Sequence, residues 1–174
     1  FTAVAHPTIE LLGVTTTFGN VSAEQSTRNA LTLLDMVNMP HIPVAKGSAT
    51  PWAQPPLPFP DFVHGVDGFG NLNLPPPPQQ AISQSAAEFI IEQVLKYPHE
   101  VTLVAIGPLG NLALALQLQP QIAALVKQVV IMGGVIEADG NVSPVAEANI
   151  FSDPHAADRV LAAAWPVVMV GLDV

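Results

Sequence analysis

The chain has 174 residues, 49% of them hydrophobic, with no cysteine and a formal net charge of -9. This length and hydrophobic content fit one globular domain and exclude an intrinsically disordered chain. The negative charge and the scattered positions of the five basic residues argue against a nucleic-acid partner, and the absence of cysteine excludes disulfides, thiolate metal sites and thiol nucleophiles. The composition is that of an intracellular domain, so we expect a cytoplasmic location. The apolar runs, such as 101–106, are far shorter than the roughly 18–20 residues of a membrane span, so we expect a soluble protein with no membrane partner.

Strand and helix signals alternate along the chain. Short runs of apolar β-forming residues predict strands at residues 11–17, 42–45, 101–106, 129–132 and 167–172. Amphipathic spacing and capping residues predict helices at residues 22–37, 83–97 and 154–164, and a further helix after Asn111 that is broken at Pro120. Fully apolar strands are typical of a parallel sheet that is covered on both faces. The sequence therefore predicts an α/β fold with an open, mainly parallel, doubly wound, Rossmann-like sheet.

Both ends of the sequence have the pattern of segments internal to a domain. Phe1–Pro7 is typical of the last turns of a helix that stops before a proline, and the last predicted strand is followed directly by Asp173 and Val174. We therefore expect residues 1–174 to be a single domain that is incomplete at both ends.

The segment 47–80 is irregular and rich in proline, and a loop of this length is usually functional or disordered. It contains His64, with Asp61 and Asp67 three residues to either side. From chemistry alone, a single loop histidine is more often a surface residue than a functional one, so both interpretations stay open.

Ligands of open parallel sheets bind outside the carboxyl ends of the strands, so the loops after the strands are candidate sites. The loop 133–152 contains Asn141, Glu147 and Asn149, whose amide and carboxylate groups suit a ligand with several hydroxyls. The alternative is that these residues are ordinary loop formers that cap the backbone. No dinucleotide, P-loop or nucleophile-elbow motif occurs in the chain.

Eight motifs carry a family resemblance. They are Leu12–Ser22 with Thr27–Ala30, Pro43–Gly47, His64–Gly65, Val104–Asn111, Ile131–Gly134, Gly140–Asn149, Asp153–Pro154 and Val170–Asp173. Their order and spacing resemble the inosine–uridine-preferring nucleoside hydrolases over essentially all 174 residues. The resemblance implies the nucleoside hydrolase fold and an enzyme that hydrolyses the N-glycosidic bond of ribonucleosides to ribose and a free base. It also implies a role in nucleoside salvage and a homodimer or homotetramer.

The resemblance further implies a Ca²⁺ cofactor that binds the ribose 2′- and 3′-hydroxyls and the attacking water. Oxygen ligation of this ion agrees with the cysteine-free composition. The main-chain carbonyl of Ile106 is the implied metal ligand within this chain, although many family members have threonine there. Asn20 is implied to lie in the shell around the metal and the water.

The remaining implied roles concern the substrate. Asn141, Glu147 and Asn149 are implied to hold the ribose hydroxyls, and His64 is implied to lie on the base side, where it contacts or helps to protonate the leaving base. Ala148 stands where many members carry an aromatic residue, which would enlarge the base pocket.

The chain departs from the family pattern at both ends. The family's aspartate cluster, of the form D-x-D-x-G-x-D-D, is expected before Phe1, and a later His-Asp pair is expected beyond Val174. We therefore expect most calcium ligands to lie outside residues 1–174 and this part alone to be inactive. Two alternatives are a catalytically inactive relative or partial domain that binds ribosides or a protein partner, and an α/β sugar- or nucleotide-binding module without hydrolysis.

Overall fold

The computed structural model describes all 174 residues and divides them into two compact units, residues 1–49 with 59–86 and residues 50–58 with 87–174. The first unit contains α1 (Thr2–Ala5), β1 (Val14–Thr15), α2 (Ala23–Met36), β2 (Val44–Ala45) and α3 (Asp61–His64). The second unit contains α4 (Ala86–Lys96), apart from its first residue, and then β3 (Thr102–Ala105), α5 (Gly110–Leu118), α6 (Ile122–Leu125), β4 (Gln128–Met132), α7 (Ala148–Ser152), α8 (Pro154–Leu161) and β5 (Val167–Val170). No helix is both long enough and apolar enough to cross a membrane.

The first unit is built on the parallel pair β1 and β2, in which Val14 lies opposite Val44. The predicted start of α2 is confirmed, since the Ser22 hydroxyl accepts a hydrogen bond from the Gln25 N–H at 3.1 Å. Buried Leu31 and Leu34 of α2 pack with Val44 to form the core of this unit. The apolar face of α2 therefore covers the strand pair.

The second unit contains a parallel three-stranded sheet in the order β3, β4, β5. Val104, Val130 and Val168 lie side by side in this register. Helix α5 packs against α8, and Leu109, Ile122, Val129, Ile131 and Val160 are fully buried. Since the strands are parallel, their carboxyl ends meet at one edge of the sheet, and the polar loops that follow them share that edge.

Strand β3 differs from the prediction of a strand covered on both faces. Val104 is 66% exposed and Ile106, just after the strand, is 76% exposed, whereas Leu103 and Ala105 are half-buried. The alternation arises because successive side chains of a strand point to opposite faces, and no helix of this chain covers the face of Val104.

The loop 133–152 also differs from its prediction, since its last five residues form helix α7. A helix of five residues is too short to show an amphipathic period, so its sequence carries no helical signal. The next helix is confirmed as predicted: Asp153 is the N-cap of α8, where its carboxylate accepts from the Ala156 N–H at 3.1 Å, and Pro154 is the first helical residue.

Candidate functional site

Asn149 joins α7 to the carboxyl edge of the sheet in the second unit. Its side-chain Nδ2 donates to the carbonyl oxygen of Met132 at 3.0 Å and lies 3.5 Å from the carbonyl oxygen of Ile106. Met132 is the last residue of β4 and Ile106 follows β3, so the amide group spans the ends of two neighbouring strands. Because both donor contacts are made by Nδ2, the Oδ1 atom of Asn149 keeps its capacity to accept hydrogen bonds.

Glu147 lies two residues before Asn149, directly before α7, and is 2% exposed. Its Oε1 accepts from the Asn149 N–H at 2.8 Å, while Oε2 accepts from Ile150 at 3.1 Å and from Gly134 at 3.0 Å. The carboxylate is thus the N-cap of α7 and also binds the loop after β4. Of about four acceptor positions on a carboxylate, three are used here. Capping of the backbone, the alternative that the sequence left open, is confirmed for Glu147.

The close contact of the Glu147 carboxylate with the loop after β4 depends on the two glycines that follow this strand. A Cβ atom at Gly133 would lie 3.2 Å from Oε2 of Glu147, which is closer than an ordinary contact. Gly134 has φ of +80°, a left-handed conformation that favours glycine. The Ile131–Gly134 motif therefore allows the buried carboxylate to reach the backbone of the loop.

Asn141 reaches the same helix from the start of the Gly140–Asn149 motif. Its Oδ1 accepts from the Ala148 N–H at 2.9 Å, which leaves the exposed amide NH₂ group as a donor. The second unit therefore brings together Asn141, Glu147, half-buried Ala148 and Asn149 around the first turn of α7, and it places the Ile106 carbonyl beside Asn149.

Asp173, directly after β5, has a role that the sequence did not reveal. Its carboxylate accepts three backbone N–H bonds of 2.7–2.9 Å, from Ile136, Glu137 and Ala138. These bonds lower the pKa of Asp173 below its ordinary value, led by the bond from Ala138. The carboxylate therefore fixes the loop that leads from β4 to Asn141. The sequence signal that could have revealed this role is the position of Asp173 shortly after an apolar strand.

The other two predicted site residues, Asn20 and His64, lie in the first unit. Asn20 is exposed in the loop after β1, two residues before the Ser22 cap of α2. His64 is the half-buried last residue of α3, and its main-chain carbonyl accepts from the Gly70 N–H at 2.8 Å. Neither side chain makes a hydrogen bond within the structure, so the imidazole and the amide are both unengaged by the protein.

Asp67 organises the loop that follows His64. Its Oδ1 accepts from the N–H groups of Phe69 and Asn71, and its Oδ2 accepts from Asn73, each at 2.8 Å. These bonds, led by that from Asn73, lower the pKa of Asp67. The Asp67 carbonyl oxygen in turn accepts from the Asn29 side chain of α2 at 2.8 Å. The loop after His64 is thus ordered by one carboxylate and fastened to α2.

The residues of this chain do not by themselves fit a calcium site. No group of three or more histidine, cysteine, aspartate or glutamate side chains is placed to hold a metal ion. Calcium requires roughly six to eight oxygen ligands, whereas the candidate supplied here is the single carbonyl of Ile106.

The fold and this cluster together define a class of protein. An open parallel α/β sheet with a carboxylate and amides at the carboxyl ends of its strands is typical of proteins that bind polar small molecules at that edge. A model of the family described as inosine-uridine preferring nucleoside hydrolase matches residues 1–174. The chain belongs to this family, and the resemblance inferred from its motifs is confirmed.

Similar proteins agree with this assignment. Uridine nucleosidase 1 of Arabidopsis thaliana is 48% identical over 168 residues, which are 97% of this chain and 50% of that protein. A plant nucleoside hydrolase and a purine-preferring ribonucleoside hydrolase from Gardnerella vaginalis, both of known structure, each give a TM-score of 0.95 at 38% and 39% identity. They are matched over 99% and 98% of this chain and over 54% and 55% of their own chains. The predicted parallel α/β fold is therefore confirmed, and the chain spans about half the length of these relatives.

Proposed function

We propose that the protein hydrolyses the N-glycosidic bond of ribonucleosides to give ribose and a free base. The observation that carries this proposal is the placement of the Asn149 amide between two strand ends and beside the buried Glu147 carboxylate. Membership of the nucleoside hydrolase family supports the reaction, and similar proteins include both a uridine nucleosidase and a purine-preferring ribonucleoside hydrolase.

The chemistry of the cluster suits this reaction. Cleavage of a glycosidic bond builds positive charge on the sugar ring, so fixed oxygen atoms around the ribose stabilise the transition state. Asn149 presents its Oδ1 to a ribose hydroxyl, and Asn141 donates through its free NH₂ group. Glu147 adds a carboxylate whose one unused acceptor position lies on Oε1. The backbone bonds that fix these groups spare the cost of arranging them when substrate binds.

The roles of Asn20 and His64 are proposed from the family resemblance. Asn20 positions the attacking water, and His64 contacts the leaving base or donates a proton to it. A half-buried imidazole without a protein partner has the donor and acceptor that such a role requires. Ala148 leaves more room for the base than the aromatic residue of many family members.

The resemblance also carries the other properties of the proposal. These are calcium assistance, nucleoside salvage and a homodimer or homotetramer, while a cytoplasmic location is proposed from the composition. Within residues 1–174, the Ile106 carbonyl is the proposed calcium ligand, and further ligands would have to come from outside this range.

The test is an assay of the whole protein for release of base from uridine and inosine. We expect Asn149→Ala to lower kcat/KM by at least about 100-fold, since loss of one stabilising oxygen costs about 2.7–4 kcal/mol. Gln117→Ala, at an exposed position of α5, is the control and should retain wild-type activity. Release of no base from any ribonucleoside by the wild type would contradict hydrolysis, and binding of ribosides without release would indicate the inactive relative instead.

A further inference from the structure

The proline-rich residues 50–58, here called the strap, belong to the second unit although they lie in sequence between β2 and α3. The Trp52 N–H donates to Oδ2 of Asp153 at 3.0 Å. The guanidinium group of Arg159 lies over the Trp52 ring, 5.4 Å from its centroid. The strap is therefore attached to the junction of α7 and α8, about 100 residues away in sequence.

Gln54 makes the contact nearest to the candidate site. Its Nε2 donates to the carbonyl oxygens of Phe151 and Ser152, at 3.2 and 3.0 Å. These are the last two residues of α7, and the carbonyl groups in the last turn of a helix have no partner inside that helix. The amide of Gln54 thus caps the carboxyl end of α7 from a distant part of the chain.

Helix α7 needs both of its caps. An isolated helix shorter than about 12–15 residues is marginal in water, and α7 has five. Glu147 caps its first turn, Gln54 caps its last turn, and Asn149 lies between them. Buried Asp153 ends the helix and accepts from Trp52 through one oxygen and from Ala156 through the other. Prolines at 51, 55, 56 and 58 restrict the backbone of the strap, so the cap costs little conformational entropy.

We infer that Gln54 is a positioning residue for the ribose-binding edge: by capping α7 it holds the Asn149 amide against the ends of β3 and β4. This inference rests on the proposed function for its effect on substrate binding. Gln54 itself lies at the far end of α7 from Glu147 and acts on substrate through Asn149.

The test compares four variants of the whole protein. Gln54→Met and Gln54→Glu keep the length of the side chain but remove its N–H donors, whereas Gln54→Lys retains donors and should rescue. Gln117→Met, on the exposed surface of α5, is the matched control. If one of the two variants without donors fails to fold, the other still provides the test.

Two measurements report on the stability of α7 and the environment of Asn149 independently of enzymatic activity. We expect amide hydrogen exchange over residues 149–153 to be about tenfold faster in Gln54→Met and Gln54→Glu, since local opening follows the stability of the local contacts. Amides of Val129–Met132 should keep their protection. The side-chain NH₂ signals of Asn149 in an NMR spectrum should shift in the same two variants and return toward wild type in Gln54→Lys.

A kinetic measurement then tests whether loss of the Gln54 cap affects the hydrolysis of substrate. We expect kcat/KM for uridine or inosine to fall about tenfold, a smaller loss than that of Asn149→Ala, since Asn149 is displaced but not removed. Unchanged exchange and unchanged Asn149 signals would overturn the inference. Faster exchange with wild-type kcat/KM would overturn the positioning role and leave Gln54 as a stability residue. If the wild type hydrolyses no nucleoside, the proposed function fails, while the exchange and NMR results still decide whether Gln54 positions Asn149.

Discussion

The side-chain Nδ2 of Asn149 lies 3.0 Å from the carbonyl oxygen of Met132, seventeen residues earlier in the chain. A second bond, between the Gly134 N–H and the Glu147 carboxylate, joins the two ends of the same loop. The long loop after β4 is therefore closed at its base by two side-chain to backbone bonds. Closure places a carboxylate and an amide oxygen at the sheet edge before any ligand arrives, which is the condition for effective electrostatic stabilisation.

Replacement of Glu147 tests the charge at this edge. Glu147→Gln keeps the shape of the side chain but removes the negative charge beside the developing cation, and such contributions are commonly worth ~3–4 kcal/mol in the transition state. We expect kcat/KM of the whole protein for inosine or uridine to fall by about two to three orders of magnitude. Glu137→Gln, an exposed glutamate of the same loop, is the control. A kcat/KM within about threefold of wild type would remove Glu147 from the site.

A calcium titration tests whether residues 1–174 alone can bind calcium. Since the chain places no group of three metal-ligating side chains together, the part produced alone should show no calcium-dependent rise in melting temperature and no hydrolysis of nucleosides. Thermal unfolding with millimolar calcium and with a chelator measures this directly. Clear stabilisation by calcium would mean that the ligands have been assigned wrongly.

A comparison of two substrates distinguishes a role of His64 at the leaving base from a general loss of activity. His64→Ala should impair the hydrolysis of nucleosides with poor leaving bases more than that of p-nitrophenyl riboside, whose leaving group needs no proton. Steady-state kinetics on both substrates provide the comparison, with His155→Ala, at an exposed position of α8, as the control. Equal losses on the two substrates would reduce His64 to a structural residue.

Asp67 should act through the loop that it organises. Asp67→Asn removes the charged acceptor of three backbone N–H groups, so hydrogen exchange over residues 68–73 should become faster. If the loop presents His64 to the base, Asp67→Asn should lower kcat/KM in the wild type and have little further effect in His64→Ala. If the effects of the two substitutions on kcat/KM are fully additive, the loop does not act through His64.

The two lowered carboxyl pKa values predict an acid dependence of stability. Asp67 and Asp173 have folded-state pKa values below the ordinary 3.8, so their contribution is complete above the ordinary pKa and is lost as pH falls through the folded-state pKa. We expect the melting temperature to fall on acidification from pH 5 toward pH 2 in the wild type. The decline should be shallower in the double variant Asp67→Asn/Asp173→Asn, and identical slopes would contradict the role of these bonds.

Much of the fold was decided by local signals in the sequence. The Ser22 cap of α2, the Asp153–Pro154 start of α8 and the apolar strands all follow from interactions within a few residues, and each was predicted where the structure has it, within a few residues at the strand ends. The family motifs also placed Asn141, Glu147 and Asn149 in one loop. These features depend on side-chain type and short spacing, so one sequence is sufficient to reveal them.

The rest was decided by contacts between distant residues. Helix α7 forms because Glu147 and Gln54 cap its two ends, and Gln54 lies 97 residues before Phe151. The exposure of Val104 depends on which helices cover the sheet, and the three bonds of Asp173 depend on a loop about 35 residues earlier. A cap supplied from a distant segment leaves no periodic pattern in the helix it stabilises. Only the tertiary structure therefore decided where α7 forms and how Asn149 is held.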